Sequence, residues 1–417
     1  MPQQRFLIAA TSSGSGKTTI TMAVMSALRQ KGLRVQPFKC GPDYIDTKFH
    51  QRVCGLPSIN LDTFMSTPEH VRELFVSYCN DADVCVVEGM MGLFDGYDRA
   101  HGSSAEIAQL LNIPVVLVVD ARSAAYSMAA LLQGFIHFSN QLRVTGVIFN
   151  KVGSARHRQM LQQVCADIDV PCFGFIPKTS PLEQGSRYLG LDFSETSDTS
   201  ALAALATDNI DLDALLSSAD ICQESYPMVP TKPSSNDKVF VAHNAESFSF
   251  IYQENIDLWA TPIFFDPEQD IPDLADADLL YLPGGYPEKH LEALVANRAC
   301  REAIHDFAEK GGRIVAECGG MMYLCKEIVT DEGSFPMCGA LPYSITARKA
   351  DRKLSLGYRR FQLNGREYRG HEFHYTQFLG AAPPSAAQVF NAMGEPVATP
   401  IIQHKNILAS YTHLYRI

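Results

Sequence analysis

A short segment rich in glycine and serine near the start of the chain constrains the fold more than any other feature. An apolar run that begins at Phe6 leads into Thr-Ser-Ser-Gly-Ser-Gly-Lys-Thr-Thr, residues 11–19, and a helical pattern follows at once. Small residues in such a loop let successive backbone N–H groups converge on an anion, and the helix adds the positive end of its dipole. The segment therefore predicts a phosphate-binding loop between a strand and a helix.

Individual positions of this loop suggest individual tasks. Lys17 is placed to reach the outer phosphates of a nucleotide, and the hydroxyl of Thr18 is suited to Mg²⁺. The usual pattern has a glycine where this chain has Thr11, but the strand and helix on either side favour a nucleotide site over an ordinary glycine-rich turn. The loop residues expected at the nucleotide are Gly14, Gly16, Lys17, Thr18 and Thr19.

Composition narrows the class of protein. A chain of 417 residues is long enough for two domains, each with its own core. No apolar run has the length of a membrane span, and a net charge of -11 argues against nucleic acid as the main partner. The first residues lack the features of a secretory signal, so we expect a cytoplasmic protein. Eleven cysteines without a C-x-x-C pair suggest reduced thiols, not a disulfide or zinc framework.

The first half of the chain alternates strand-like and helix-like segments, which predicts a parallel, doubly wound α/β sheet. Ligands bind at the carboxyl ends of such strands. Lys39, Asp43 and Asp46 follow the second predicted strand, although a solvated turn is an equally good interpretation of Asp46. Glu88 ends a buried strand and suits a metal ion. Asn150 ends another strand and could recognise a purine base, or it could simply form a turn.

A second α/β series follows a linker. Residues 221–237 are rich in proline and serine near their middle, and they separate a predicted domain at 1–220 from one at 238–417. Strand-like runs begin again at Val239, and Pro283-Gly-Gly-Tyr-Pro-Glu forms a turn with free backbone N–H groups. We expect a doubly wound, flavodoxin-like sheet in this half as well.

The strongest candidate for a nucleophile in the second half is Cys318. It stands between a strand and a helix and is followed by Gly-Gly, a setting that exposes a side chain and predicts a lowered thiol pKa at a helix N-terminus. His413, where a final strand is predicted to end, is the preferred base. His371 and His374 compete, but their spacing does not match a zinc-protease motif, so no metal is expected there.

Taken together, these segments resemble the cobyrinic acid a,c-diamide synthase family along nearly the whole chain. The resemblance rests on blocks that occur in the family's order: Ser12–Thr19, Lys39–Asp46, Val87–Gly96, Leu282–Glu288, Glu317–Tyr323 and Gly370–Tyr375. It implies an N-terminal half similar to dethiobiotin synthetase, which activates a carboxylate with ATP and Mg²⁺. It also implies a C-terminal half similar to a class I, triad-type glutamine amidotransferase.

The resemblance also assigns roles. Lys17 and Thr18 contact the phosphates and Mg²⁺, Glu88 binds the metal, and Lys39 faces a phosphate or carboxylate. Asp43 and Asp95 belong to the synthetase site. In the glutaminase, Cys318 is the nucleophile, His413 is its base, and Gly285 lies in the turn that supplies the oxyanion hole. Ammonia released from glutamine then displaces phosphate from an acyl phosphate, and an internal route between the two sites follows as a hypothesis.

This chain departs from related sequences at several positions. Triad-type amidotransferases often have a glutamate two residues after the histidine, but here Tyr415 occupies that position. The segment 242–250 lacks a more usual aspartate, and Tyr188 replaces a commoner histidine. A basic cluster could hold substrate carboxylates, or it could be a solvated or interdomain surface; its members are Arg348, Lys349, Arg352, Lys353, Arg359 and Arg360.

The first functional prediction is therefore amidation of the a and c carboxylates of cobyrinic acid, a tetrapyrrole polycarboxylate, with glutamine as nitrogen donor. The same chemistry on hydrogenobyrinic acid or nickel-sirohydrochlorin is the nearest alternative. A P-loop ATPase switch is an alternative of another class, but such switches carry a second lysine where this chain has Ser12 and lack a glutaminase half. A homodimer is compatible with the sequence, which by itself gives no oligomeric state.

Overall fold

The computed structural model describes residues 4–178, 199–221 and 235–416. The chain divides into two compact units, Met1–Pro230 and Thr231–Ile417. Most of the predicted linker, together with Tyr188, lies outside the described residues. None of the helices in the described segments is both long and apolar enough to cross a membrane.

The first unit alternates strands with helices, as its sequence pattern predicts. Its strands are β1 (Gln4–Ala10), β2 (Val35–Cys40), β3 (Ile59–Leu61), β4 (Val84–Glu88), β5 (Val115–Asp120), β6 (Val144–Val152), β7 (Cys172–Pro177) and β8 (Asp220–Ile221). Its helices are α1 (Lys17–Gln30), α2 (Asp46–Cys54), α3 (Pro68–Cys79), α4 (Ser104–Leu111), α5 (Met128–His137), α6 (Ala155–Asp167), α7 (Thr199–Asn209) and α8 (Leu212–Ser218).

The strands from β1 to β7 form a parallel sheet in the order β3-β2-β4-β1-β5-β6-β7. The central strands are buried on both faces because they are continuous apolar runs, such as Val-Cys-Val-Val-Glu in β4. The short strand β8 pairs antiparallel with the start of β1 and was not predicted. This order brings the carboxyl ends of β1, β2 and β4 to neighbouring positions at one edge.

The second unit is more complex than its predicted sheet. Its strands are β9 (Val239–Ala242), β10 (Ile263–Phe265), β11 (Leu279–Leu282), β12 (Ile314–Glu317), β13 (Glu327–Val329), β14 (Ser334–Pro336), β15 (Ser344–Thr346), β16 (Ser355–Leu363), β17 (Arg366–His374), β18 (Gln377–Phe378), β19 (Val389–Phe390), β20 (Pro396–Val397), β21 (Ile402–His404), β22 (Ile407–Ser410) and β23 (His413–Tyr415). Its helices are α9 (Gln253–Asp257), α10 (Leu291–Ala296), α11 (Arg298–Glu309) and α12 (Gly319–Leu324).

One sheet of this unit is the predicted α/β sheet, with strands ordered β10-β9-β11-β12-β22-β21 and all pairs parallel except β21 with β22. Two further sheets, β14-β13-β15-β18 and β20-β19-β16-β17-β23, were not predicted. The prediction that a final strand ends at His413 is wrong. The strand ends at Ser410, and His413 begins β23 in another sheet, because the chain turns at Tyr411 and Thr412.

Candidate functional site

The phosphate loop has the predicted geometry. Residues 11–16 connect β1 to α1, and Gly14 and Gly16 have φ angles of 76° and 86°. A β-carbon on Gly16 would come 2.1 Å from Nδ2 of Asn150, so both the backbone angle and the packing require glycine there. Lys17, Thr18 and Thr19 form the first turn of α1 and are half-buried.

Asn150 lies beneath this loop. Its Nδ2 donates a hydrogen bond to the carbonyl oxygen of Ser15 at 2.8 Å, and its Oδ1 accepts one from the backbone N–H of Lys151. The Lys151 ammonium group donates to the carbonyl oxygen of Gly14 at 3.0 Å. In this arrangement Asn150 supports the shape of the loop, and its recognition of a purine base remains a prediction.

A buried cluster of charged groups lies directly behind the loop, with Glu88 at its centre. The Glu88 side chain is fully buried. Its Oε1 accepts hydrogen bonds from the Thr18 hydroxyl at 2.6 Å and from the Lys39 ammonium at 2.9 Å. The Lys17 ammonium lies 3.5 Å from the same oxygen. The structure therefore brings together four of the residues that the sequence assigned to the synthetase site.

The charges in this cluster change one another's pKa. Burial opposes ionisation of Glu88, but Lys39, His50 and Lys17 together hold its pKa well below the usual range. Burial would also lower the pKa of Lys39, yet the surrounding carboxylates raise it instead. Burial raises the pKa of Asp46 to about 6, and the nearby carboxylates of Asp43 and Glu88 add to this effect, although the Lys39 ammonium group opposes it.

Asp46 and His50 are the residues that the sequence argument undervalued. Asp46 begins α2, contacts the Lys39 ammonium and lies 3.4 Å from the Thr18 hydroxyl. His50, one helical turn later, places Nε2 2.6 Å from Oε2 of Glu88 and Nδ1 3.0 Å from the Ser58 hydroxyl. The i, i+4 spacing that puts Asp46 and His50 on one face of a helix could have identified the pair.

The other two predicted aspartates differ in position. Asp43 lies 4.0 Å from the Lys39 ammonium, and its Oδ1 accepts hydrogen bonds from the backbone N–H groups of Ile45 and Asp46. Asp95 is exposed on the loop after β4, and its Oδ2 accepts a hydrogen bond from the Gly92 N–H. Asp43 therefore contacts the cluster, whereas the Asp95 side chain forms its hydrogen bond within its own loop.

The chemistry of these donors fits Mg²⁺. Thr18 and Glu88 offer a hydroxyl and a carboxylate oxygen 2.6 Å apart, with Asp46 beside them, and oxygen ligands are what Mg²⁺ prefers. Among the described residues, no group of three or more His, Cys, Asp and Glu forms a complete metal site. Such an ion would therefore take its remaining ligands from nucleotide phosphates and water, as Mg²⁺ commonly does.

The second unit contains the nucleophile turn that its sequence predicts. Cys318 lies between β12 and α12 with φ 45° and ψ -109°, a strained backbone conformation for a residue with a side chain. Its N–H donates to the Ser410 carbonyl at the end of the neighbouring strand β22. A β-carbon on Gly319 would come 2.9 Å from the backbone nitrogen of Gly285. The turn at 284–285 therefore packs directly beside the nucleophile segment.

His413 lies on the other side of the same turn. A β-carbon on Gly284 would come 2.1 Å from Cε1 of the His413 ring. His413 is 1% exposed, and burial, together with the nearby His371, lowers its pKa to about 3. The imidazole is therefore neutral at neutral pH, which is the state that a general base requires.

The predicted lowering of the Cys318 pKa is wrong. Cys318 is buried, and burial raises its pKa; the carboxylates of Glu288 and Glu372 add to this effect. A hydrogen bond with the Gly319 backbone acts in the opposite direction but does not outweigh burial. The prediction considered only the local effect of the helix N-terminus, whereas burial and carboxylates from distant parts of the chain dominate.

The two competing histidines lie near His413: His371 is paired with it across β17 and β23, and His374 is held by a carboxylate. His374 Nε2 lies 2.7 Å from Oε1 of Glu372, and its ring stacks on Tyr411 with 3.6 Å between centroids. Arg359, which was considered for substrate carboxylates, is 6% exposed and donates from Nε to Glu372 at 2.5 Å. That idea is wrong for Arg359, because its guanidinium is already used in this buried network.

Comparisons with known proteins agree with this geometry. A family model described as a CobQ/CobB/MinD/ParA nucleotide binding domain matches residues 6–189. A second, described as a CobB/CobQ-like glutamine amidotransferase domain, matches residues 241–416. The cobyrinate a,c-diamide synthase of Listeria monocytogenes is 37% identical, over 99% of this chain and 96% of that protein. This chain belongs to the cobyrinate a,c-diamide synthase family.

Other relatives give the same result. The cobyrinate a,c-diamide synthase of Syntrophotalea carbinolica is 39% identical over 99% of this chain and 95% of its own length. The hydrogenobyrinate a,c-diamide synthase of Rhizobium meliloti is 38% identical, with 98% of each chain covered.

The comparison with solved structures adds no argument about the fold. A structure of chloroplast FtsY from Physcomitrella patens matches 52% of this chain and 66% of its own, at 16% identity and a TM-score of 0.32, which is too low to indicate a shared fold.

These findings confirm the predicted family and the predicted fold class. The chain combines a nucleotide-binding α/β domain with a glutamine amidotransferase domain, and it is a glutamine-dependent, amide-forming enzyme. A P-loop ATPase switch lacks the second of these domains. The roles of individual residues remain proposals.

Proposed function

We propose that this protein uses ATP and glutamine to convert the a and c carboxylates of cobyrinic acid into amides, as a step of cobalamin biosynthesis. The observation that carries the proposal is that one chain contains two sites. The first is the charged cluster around Glu88 behind a phosphate loop, and the second is the Cys318 turn with His413 beside it. The names of the Listeria and Syntrophotalea relatives supply the substrate.

The first unit would activate the carboxylate. A carboxylate is a poor acyl donor, and transfer of the γ-phosphoryl group of ATP gives it a good leaving group. The phosphate loop and Lys17 would hold the phosphates, and Thr18 and Glu88 would hold Mg²⁺, which neutralises charge on the phosphates when bound. Lys39 is kept protonated by its carboxylate neighbours, so it can stabilise negative charge on the acyl phosphate.

The second unit would release ammonia. Cys318 would attack the side-chain carboxamide of glutamine while His413 accepts the thiol proton and returns it to the departing ammonia, which leaves a γ-glutamyl thioester on Cys318. Water would then hydrolyse this thioester, releasing glutamate and restoring the thiol. The backbone N–H of Gly285, next to the nucleophile segment, fits an oxyanion-hole donor. Ammonia would then replace phosphate at the activated carboxylate.

Two variants separate the two half-reactions. Cys318→Ala should lose amidation with glutamine yet keep it with ammonium salts, and Cys325→Ala, which removes another buried cysteine, should keep both. Lys17→Ala should lose amidation with both nitrogen sources, whereas Lys31→Ala at the exposed end of the same helix should not. Equal loss with both nitrogen sources in Cys318→Ala would refute this division of labour.

The substrate can be identified by mass spectrometry after incubation with ATP, Mg²⁺ and glutamine. Cobyrinic acid should gain two amide groups. Hydrogenobyrinic acid is the second candidate, supported by the name of the Rhizobium relative, and conversion of it alone would replace cobyrinic acid in the proposal. Nickel-sirohydrochlorin serves as a third substrate in the same assay. A homodimer and a cytoplasmic location remain predictions from the sequence.

A further inference from the structure

A buried carboxyl group links the nucleophile segment to the segment that carries His413. Glu317 directly precedes Cys318, ends β12 and is 2% exposed. Its Oε1 accepts a hydrogen bond at 3.0 Å from the backbone N–H of Leu414, the residue after His413. Its Oε2 accepts one at 2.7 Å from the hydroxyl of Tyr281. One side chain thus reaches from the nucleophile turn to the peptide group that joins His413 to Leu414.

The same stretch of β23 is held by a second buried side chain. Asn255 is fully buried, and its Nδ2 donates to the carbonyl oxygen of Leu414 at 2.8 Å. Its Oδ1 accepts a hydrogen bond from the N–H of Arg416 at 2.6 Å. Both backbone polar groups of Leu414 are therefore bound by side chains, in addition to the pairing of β23 with β17. The orientation of β23 depends on these contacts.

Burying a carboxyl group at this position has an unfavourable free energy. Burial raises the pKa of Glu317 to about 8, against the hydrogen bonds from Tyr281 and Leu414, which shows that the environment disfavours the charged form. An apolar side chain would avoid this cost but would leave the Leu414 N–H buried without an acceptor. The acceptor function is what distinguishes glutamate from an apolar residue here.

We infer that Glu317 is a positioning residue for the glutaminase, which fixes the orientation of His413 relative to Cys318 through the His413–Leu414 peptide group. The inference rests on the proposed function, in which His413 is the base. The position two residues after the histidine, where related amidotransferases often have a glutamate, holds Tyr415, whose hydroxyl is bound to Glu254. In this chain a carboxyl group therefore orients the base through the backbone.

The test compares two substitutions of Glu317. Glu317→Leu keeps most of the volume but removes the acceptor, so the kcat of glutamine hydrolysis should fall about 100-fold, since small misplacements of catalytic groups cost this much. The KM for glutamine should change by less than about threefold, and ammonium-supported amidation should be unchanged. Glu317→Gln keeps an acceptor oxygen for Leu414 and should stay within about threefold of the wild-type kcat.

Two control variants distinguish a loss of His413 positioning from a general loss of stability. Tyr281→Phe removes the other hydrogen bond of the same carboxyl group, and Val315→Ala opens space on the same strand, in the apolar cluster that includes Tyr281. Both variants should lower the unfolding temperature but keep the kcat of glutamine hydrolysis within about threefold. If kcat fell in either control variant as much as in Glu317→Leu, the inference would be overturned.

Wild-type kcat in Glu317→Leu, or equal losses in Glu317→Leu and Glu317→Gln, would also overturn it. If Glu317→Leu does not fold, Glu317→Asp takes its place, because the shorter side chain withdraws the carboxyl group from Leu414 while keeping its polarity. The same loss of kcat is expected, and wild-type kcat in that variant would be equally decisive. A wild-type protein that does not hydrolyse glutamine would instead refute the proposed function itself.

Discussion

The imidazole of His413 lies directly against the backbone of Gly284. A β-carbon at Gly284 would come 2.1 Å from Cε1, 2.9 Å from Nδ1 and 3.1 Å from Nε2 of the ring. The next residue, Gly285, packs against Gly319, which follows the nucleophile. One glycine turn is therefore in contact with the segments that carry both Cys318 and His413, and any side chain at 284 would occupy the place of the imidazole.

We expect Gly284→Ala to displace the His413 ring and to lower the kcat of glutamine hydrolysis about 100-fold. Amidation supported by ammonium salts should persist, because it does not need the glutaminase. Gly339→Ala is the control in the same unit: its φ of 70° makes alanine unfavourable for the backbone, but a β-carbon there meets no atom within 4 Å and displaces no side chain. Normal glutaminase activity in Gly284→Ala would show that His413 is not the base in its present position.

The phosphate loop offers a similar matched pair. Gly14 and Gly16 both have positive φ, so an alanine at either position carries a backbone cost of about 1 kcal/mol. Only at Gly16 would the new β-carbon clash, 2.1 Å from Nδ2 of Asn150. Gly16→Ala should therefore weaken ATP binding at least about tenfold more than Gly14→Ala, as measured by calorimetry. Equal effects would show that the contact with Asn150 does not shape the loop.

The phosphate loop and the Cys318 turn were predictable because their signals are local. Each is a short run of small residues between a strand and a helix. Glu88 was identified because it ends a continuous apolar strand. Contacts between distant residues were not predictable. His50 reaches Glu88 across 38 residues, and Glu317 reaches Leu414 across 97.

The same limit explains the errors in the second unit. Seven of the nine strands in its two additional sheets have only two or three residues, which is too short to show a clear alternation of apolar and polar residues. The other two, β16 and β17, have nine residues each and flank Asn364-Gly365, a hairpin signal that was missed. The pKa of Cys318 was misjudged for a related reason. A helix N-terminus is visible in the sequence, whereas the burial of the thiol and the approach of Glu288 and Glu372 depend on the folded chain.

The protonation states of Cys318 and His413 predict a pH dependence. The pKa of Cys318 is raised and that of His413 is lowered to about 3, so both are uncharged at neutral pH and a stable thiolate–imidazolium pair is absent from the resting site. Alkylation of Cys318 by iodoacetamide should therefore rise continuously from about pH 6 to about pH 9, because the thiolate fraction grows with pH below its pKa. The Cys318→Ala variant gives the background from other cysteines. A plateau near neutral pH would contradict this assignment.

The Glu372 network predicts a pH-dependent contribution to stability. Glu372 is 2% exposed and accepts hydrogen bonds from Arg359 Nε at 2.5 Å, the Thr399 hydroxyl at 2.6 Å and the Ser355 hydroxyl at 2.8 Å. Burial opposes its ionisation, but His374 and Arg359 outweigh burial and lower the pKa of Glu372 from 4.5 to about 2. A carboxylate with a lowered pKa stabilises the fold above its ordinary pKa and loses that contribution as the pH falls toward the lowered value.

Glu372→Gln should therefore reduce the free energy of unfolding by about 3 kcal/mol at neutral pH, as the shift in pKa and the loss of a buried ion pair both indicate. Urea denaturation at several pH values should show the difference from wild type narrowing as the pH falls from about 4.5 toward 2, because Glu372 takes up a proton in the unfolded chain in this range while it stays charged in the folded protein. The control is Glu367→Gln on the same strand, where the carboxylate pairs with Arg369 at the surface and contributes less than about 1 kcal/mol. A difference that stayed constant with pH would mean that the shape of Glu372, and not its charge, holds the network together.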